Sequence, residues 1–384
     1  VLYMTPIFQS NSCHKYDTTD YYQIDPSFGT TEDLKELVQK AHERGMKVVL
    51  DAVYNHTGRE FFAFADILEN GEKSKYRDWY FIDGFPLKSE WGEIPNFKCF
   101  GYYGGMPKLN LKNPEVEKYI TDVACYWIKE CDIDGWRLDV GDEISHFFWK
   151  NFRKAVKAVK KDMLIIGEIW HYAGDFLEGD EWDTVMNYPF YLNLIDLLAD
   201  EKITVSQFVQ NLGYLKGRLH KNCYPLMWNL IDSHDTARFL HLCNDNKKKQ
   251  HLAAAFQLLL PGMPMIYYGD EYAMPGANDP DCRRGMYWDE EYQDKEMYEW
   301  YKRLIQVRKS HACIVEGELA GSVTEDEEGT IVLIRKNGEE TIAMIFNCSS
   351  SAKKFNEYTQ KYNLLTENTF DGNVEGFDAA VIVL

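Results

Sequence analysis

The sequence predicts an α/β fold, specifically a (β/α)8 TIM barrel, on three observations. Short apolar, β-rich runs alternate with amphipathic helical stretches as far as His311. No glycine-rich phosphate loop follows any run, which argues against an open doubly wound sheet. Polar clusters stand at the C-terminal ends of the runs, at Asp51–His56, Arg137–Asp139, Gly167–Trp170 and Asp232–Asp235. In a barrel that face carries the chemistry.

The elements follow in order. Val1–Phe8 is read as the first strand. A helix spans Thr31–Arg44, opened by Thr/Glu/Asp capping chemistry and closed at Gly45. Met46–Val53 is a nearly continuous apolar run, the pattern of a parallel strand covered by helices. Helix Pro114–Cys131 carries Pro and Glu in its first turn. Strand Ile133–Val140, helix Phe147–Lys160, strand Met163–Ile169 and strand Thr184–Pro189 come next. Helical segments Leu192–Asp200 and Val205–Lys216 precede strand Pro225–Ile231, helix Lys248–Leu260, strand Pro264–Tyr268 and helix Tyr292–His311. That gives seven strands, and the missing eighth is expected upstream of Val1.

Two segments break the alternation. Thr57–Asn113 is far longer than an ordinary βα loop and is expected to form an inserted subdomain over the C-terminal face. After His311, Ile331–Arg335, Thr341–Asn347 and Ala379–Leu384 alternate or run apolar between turn residues, as in an antiparallel β domain. The expected domains are residues 1–56 (first part of the barrel), 57–113 (insertion), 114–311 (second part of the barrel) and 312–384 (a C-terminal β-sandwich).

Composition narrows the function. Of 384 residues, 45% are hydrophobic and 27% charged, which suits an ordinary globular protein. With 42 Lys and Arg against 61 Asp and Glu, the net charge is −19. Such a surface repels phosphate backbones and anionic lipid, so neither nucleic acid nor a membrane is an expected partner. The nine cysteines show no metal-ligand spacing and no disulfide framework, so no metal is expected and a reducing, cytoplasmic setting is.

The chemistry resides at the strand ends. Asp139, Glu168 and Asp235 are acids there, and three carboxylates at one barrel mouth need a role to offset their repulsion. A retaining glycosidase uses two close carboxylates, one to attack the anomeric carbon and one to move the proton. Arg137 shares a strand face with Asp139 and keeps it ionised. Glu168 lies among Ile166, Ile169 and Trp170, an apolar setting that suits a general acid. His56 and His234 read as donors to sugar hydroxyls. A Ser233/His234 triad is a poor alternative, because neighbouring strand residues face opposite ways and no Gly-x-Ser-x-Gly elbow is present.

These segments resemble the α-amylase family, glycoside hydrolase family 13, and within it the neopullulanase/cyclomaltodextrinase/maltogenic amylase subfamily. The matching stretches are DAVYNH (51–56), GWRLDVGDE (135–143), GEIW (167–170), DSHDT (232–236), MPKLN (106–110), HKYDTTDYYQIDPSFG (14–29) and NDPDCRR (278–284). The resemblance implies a retaining α-glucan hydrolase acting on cyclodextrins, pullulan or maltooligosaccharides, at α-1,4 bonds with α-1,6 bonds as a further target. By the same resemblance Asp139 is the nucleophile, Glu168 the acid/base and Asp235 the carboxylate bracing the distorted sugar. Arg137, His56 and His234 contact the sugar at the cleavage point, and Tyr16 stacks beneath it. Asp279 and Arg283 reach one sugar further, and Trp170 and His171 line the leaving-group side. Trp79, Trp91, Tyr102 and Tyr103 remain unassigned between packing and sugar stacking. Gly141-Asp142 stands where Ala-Asn is usual. No cofactor is implied, with calcium as the alternative: Asn110 replaces a calcium-binding Asp of typical α-amylases, so the usual calcium site is not intact. The resemblance also places the first strand and an N-terminal β domain upstream of Val1, with homodimerisation through that domain as a further implication. A transglycosylase on the same fold and a non-catalytic, transporter-associated relative are the alternatives.

Overall fold

In the computed structural model, which describes residues 1–88 and 94–384, the apolar runs become parallel strands. The chain divides into two compact units, Val1–Ile169 with Ala173–Val185, and Trp170–Tyr172 with Met186–Leu384.

The first unit is built on a five-stranded parallel sheet. Its leading strand is β1 (Leu2–Met4), and the expected single strand Val1–Phe8 is interrupted at Thr5-Pro6. Proline has no N–H to donate to a ladder. Phe8–Ser10 (β2) turns away instead and pairs antiparallel with β3 (Thr18–Ile24), a hairpin the sequence reading missed. Helix α1 (Thr31–Glu43) starts at a capping box, in which Thr30 and Asp33 satisfy each other's backbone N–H groups. It ends before Gly45, whose positive φ of 69° glycine adopts without strain.

Strand β4 (Val48–Ala52) is buried throughout and pairs with both β1 and β5 (Gly135–Leu138). Between β4 and β5 come helix α2 (Phe62–Asn70) within the insertion and helix α3 (Pro114–Cys131). Helix α4 (His146–Val159) leads to β6 (Leu164–Gly167), and β7 (Thr184–Val185) closes this sheet. Fully buried Trp127 and Trp136 hold its core; Trp127 stacks on Phe8 at 5.1 Å and donates Nε1–H to the Tyr21 carbonyl at 2.8 Å.

The second unit continues the parallel pattern. Met186 bridges Trp228 in parallel, and β8 (Trp228–Leu230) pairs with β9 (Met263–Met265). The expected strand Thr184–Pro189 is shorter than read, because Asn187 caps a helix, α5 (Tyr188–Leu194), with Pro189 in its first turn. A π-helical turn, Ile195–Ala199, and helix α6 (Val205–Arg218) follow. Short helix α7 (Phe239–Leu242), helix α8 (Lys247–Leu259) and helix α9 (Lys295–Ser310) complete the alternation.

The antiparallel sheet expected after His311 is present and has six strands. It begins with Glu318–Glu325, mostly exposed and unread in the sequence because its apolar residues, Leu319, Ala320 and Val323, form neither a run nor an unbroken alternation. Ile331, Leu333, Ile342, Met344, Phe346 and Val381 pack with residues of α8 and α9, and Phe256 stacks on Phe346 at 4.3 Å. Val332, Ala343, Ile345, Ala380 and Ile382 face the other way onto Phe355, Phe370 and Val374. Covering on both faces explains why these strands read as apolar runs as well as alternating ones.

Candidate active site

Register builds the first cluster. Asp51 on β4 lies directly beside Arg137 on β5, and Leu138 beside Gly167 on β6. The ladder continues one step further: the Asp139 N–H donates to the Ala52 carbonyl at 3.2 Å and the Glu168 N–H to the Leu138 carbonyl at 3.0 Å. Neighbouring strands therefore deliver three acids and an arginine to one level.

Arg137 is fully buried and holds all three. Its Nη1 donates to both Asp51 oxygens at 3.1 Å and to Asp139 Oδ1 at 2.9 Å, and its Nη2 lies 2.8 Å from Glu168 Oε1. The other Glu168 oxygen, Oε2, accepts the Val140 backbone N–H at 3.0 Å. Burial opposes the Arg137 charge, but Asp51 and Glu168 outweigh it and raise its pKa above the usual guanidinium value. Asp51 lies deepest, where burial pushes its carboxyl up to about 6 against the pull of Arg137. Tyr3 donates its hydroxyl to Asp51 Oδ2 at 2.6 Å and Tyr16 to the same oxygen at 3.2 Å. Burial raises both phenols well above their ordinary pKa, so they serve as neutral donors.

His56 belongs to the same unit. Its Nε2 is 3.1 Å from the Tyr16 carbonyl, which can only accept, so Nε2 carries the hydrogen. Burial lowers its pKa to about 4, leaving the ring neutral near pH 7. Lys108 of the insertion donates to Asn55 Oδ1 and Glu143 Oε2, each at 2.7 Å, tying the insertion to the turn after Asp139.

The second unit gathers the remaining residues. His234 Nε2 is 3.1 Å from Asp235 Oδ2. Arg283 donates its Nε to the His234 carbonyl at 2.7 Å, and its Nη2 lies 3.2 Å from Asp279 and 3.7 Å from Asp235. Trp170, partly exposed, stacks on Tyr188 at 4.0 Å with His171 next in the chain.

Asp232, at the end of β8, is buried and turned elsewhere: its Oδ1 accepts the Phe239 N–H at 2.5 Å. Burial and the neighbouring Asp270 hold its carboxyl well above the usual range, while Arg238 Nη1 pairs with Asp270 at 3.0 Å.

Asp51 stands in the strand-end cluster Asp51–His56 with no role assigned from the sequence, and Tyr3 and Tyr188 are not candidates there. Asp51 carried a signal, since it too is an acid at a strand end. Tyr3 and Tyr188 gave none apart from aromatic character. Of the unassigned aromatics, Trp79 is buried and donates to Glu115 at 3.1 Å, Tyr102 and Tyr103 are exposed, and Trp91 lies outside the described residues. Asn110 donates to the Asp78 carbonyl at 3.0 Å. Among the described residues, no group of three or more His, Cys, Asp or Glu side chains could hold a metal ion, and no helix is long and apolar enough to cross a membrane.

Comparison with known proteins identifies the family. Residues 1–293 match the family model for the alpha amylase catalytic domain. The chain belongs to the α-amylase family. It is 48% identical over 351 residues to a cyclomaltodextrinase of Geobacillus thermopakistaniensis, covering 91% of this chain and 59% of that one. Identity is 47% over 368 residues to a cyclomaltodextrinase of Thermoanaerobacter pseudethanolicus (95% and 63%) and 44% over 347 residues to neopullulanase 2 of Thermoactinomyces vulgaris (90% and 59%). The chain thus spans about three-fifths of the length of these curated relatives. A solved cyclomaltodextrinase superposes with a TM-score of 0.94 at 39% identity, covering 99% of this chain and 67% of that one. The α-amylase family fold, a (β/α)8 barrel followed by an antiparallel β domain, is therefore the fold class expected from the sequence.

Proposed function

We propose that this α-amylase family chain carries the catalytic machinery of a retaining α-glucan hydrolase. Its substrates are cyclodextrins, pullulan or maltooligosaccharides, cleaved at α-1,4 bonds and, in pullulan-like substrates, at α-1,6 bonds. The observation that carries the reading is one buried guanidinium, Arg137, gripping both Asp139 and Glu168. Carboxyl groups sharing a guanidinium are held close to one another, as the nucleophile and the acid/base of a retaining glycosidase need to be. Asp139 attacks the anomeric carbon while Glu168 protonates the departing glycosidic oxygen. The glycosyl-enzyme ester is then cleaved by a water whose proton Glu168 removes. Asp235 braces the distorted sugar, with Arg137, His56 and His234 on its hydroxyls and Tyr16 beneath it. Asp279 and Arg283 hold the next sugar, and Trp170 and His171 the leaving-group side. The chemistry needs no cofactor. A cytoplasmic location is supported by nine free thiols and by a 44% identical relative named intracellular maltogenic amylase.

The test uses the full-length protein on γ-cyclodextrin, pullulan and soluble starch. Hydrolysis with retention is expected, and Asp139→Asn should reduce it by at least about 10³-fold with glucan binding kept. Product analysis on maltotriose distinguishes the rival chemistry: longer oligosaccharides without net reducing-end release would mean a transglycosylase. Wild-type inactivity on every α-glucan would sink the reading.

A further inference from the structure

Val140 follows the residue read as nucleophile, and its φ of 46° and ψ of 44° are left-handed. A β-branched side chain is a genuine outlier there, because Cβ crowds the following carbonyl. Such strain persists where surrounding contacts over-determine it, and it clusters at functional sites. Here the product of the strain is visible: the turn aims the Val140 N–H at Glu168 Oε2, 3.0 Å away.

What holds the turn is a tryptophan seat. Trp182 is buried and lies flat on Phe176, with centroids 4.0 Å apart and planes 5° apart. Its ring presses on two glycines. A Cβ at Gly167 would lie 2.2 Å from the ring and one at Gly141 would lie 2.8 Å from it, so neither position admits a side chain without a shift. Trp149, edge-on to Trp182 at 6.1 Å, donates its Nε1–H to the Gly141 carbonyl at 2.9 Å and fixes the same turn. Gly167 precedes Glu168 and Gly141 follows Val140. One indole therefore sets both the strand end that carries Glu168 and the turn that supplies its N–H donor.

We propose that Trp182 is a positioning residue for Glu168, acting through Gly141 and Gly167 to keep the Val140 N–H on Glu168 Oε2. This rests on Glu168 being the acid/base of the proposed reaction. With Oε1 on Arg137 and Oε2 on Val140, neither oxygen is free to swing, so the carboxyl is aligned before substrate arrives. A smaller side chain at 182 lets the turn relax to a right-handed or extended conformation and withdraws the donor.

The experiment compares Trp182→Phe with wild type in the full-length protein on maltotriose and on α-maltosyl fluoride. Fluoride departs with little protonation, so its release depends weakly on the acid, whereas the glycosidic oxygen of maltotriose depends on it strongly. The expected result is a kcat on maltotriose lower by about 10- to 100-fold, KM within about threefold, and at most about a threefold loss on the fluoride. An equal loss on both substrates, or none on either, overturns the proposal, because a merely structural role would not discriminate between leaving groups. If Trp182→Phe yields no folded protein, Trp182→Tyr, which keeps more of the ring volume, is judged by the same ratio. Failure of the proposed function is separate: wild type would then turn over neither substrate.

Discussion

Arg137→Met tests the electrostatic centre of the first unit. The substitution keeps a long side chain but removes the guanidinium that Asp51, Asp139 and Glu168 share. Arg137 is fully buried, and Asp51, Asp139 and Glu168 are at most 5% exposed. Breaking a buried ionic cluster by removing one partner costs about 3–5 kcal/mol, because the charges left behind are uncompensated. The size should depend on pH. Asp51 stands at about 6 even with the cation present, and without it the folded-state pKa rises further while the unfolded value stays near about 3.9. A carboxyl raised in this way lends stability that is full below its unfolded pKa and is lost as pH rises through its folded pKa. The variant therefore recovers stability from a higher pH than wild type on acidification. The gap between them should narrow by about 1–3 kcal/mol from pH 8 to pH 5, at about 1.4 kcal/mol per unit of pKa difference. Urea unfolding followed by tryptophan fluorescence at several pH values measures this. A loss below about 1 kcal/mol at pH 8, or a gap that widens as pH falls, would refute the argument that Arg137 makes the buried acids tolerable.

Two further outcomes concern stability alone. Asp134 accepts the Val48 N–H at 2.9 Å and contacts His42, Lys47 and Lys160 just before β5, at the end of that strand opposite Asp139. Asp134→Ala should cost about 2–4 kcal/mol, mostly from the orphaned N–H, and leave kcat of the folded protein unchanged; thermal melts and glucan assays decide. The Asp232–Asp270 pair is raised by burial, Asp270 to about 7, so its contribution is present below the ordinary carboxylate pKa and lost as pH rises through the folded value. Asp232→Asn mimics the protonated acid. It should match wild type near pH 5 and exceed it by about 1–3 kcal/mol near pH 8 in urea midpoints. An unchanged difference across that range would show that the pair shares no proton.

The order of strands, the acids at their ends and the family were legible in the sequence, because each depends on local pattern. Apolar runs of strand length between helical periods mark β4, β5 and β6 without reference to any partner. Strand-end acids are visible for the same reason, since a motif keeps its spacing whatever surrounds it. Where local signals conflicted, the reading failed: Pro6 split the first strand, and Asn187 with Pro189 turned a read strand into a helix. The exposed strand Glu318–Glu325 has no apolar run or unbroken alternation to betray it.

Tertiary structure alone decided the rest. That Arg137 grips Asp51 and Glu168 as well as Asp139 follows from the parallel register of three strands, and register is a property of pairing between distant segments. Tyr3 reaches Asp51 from residues 48 positions away, and Trp182 presses on glycines 41 and 15 positions before it. Burial, which raises Asp51 and lowers His56, exists only once the core has closed around them. The sequence by itself determined which chemical groups are present and on which strand ends. The fold determined their distances, their solvent and hence their charges.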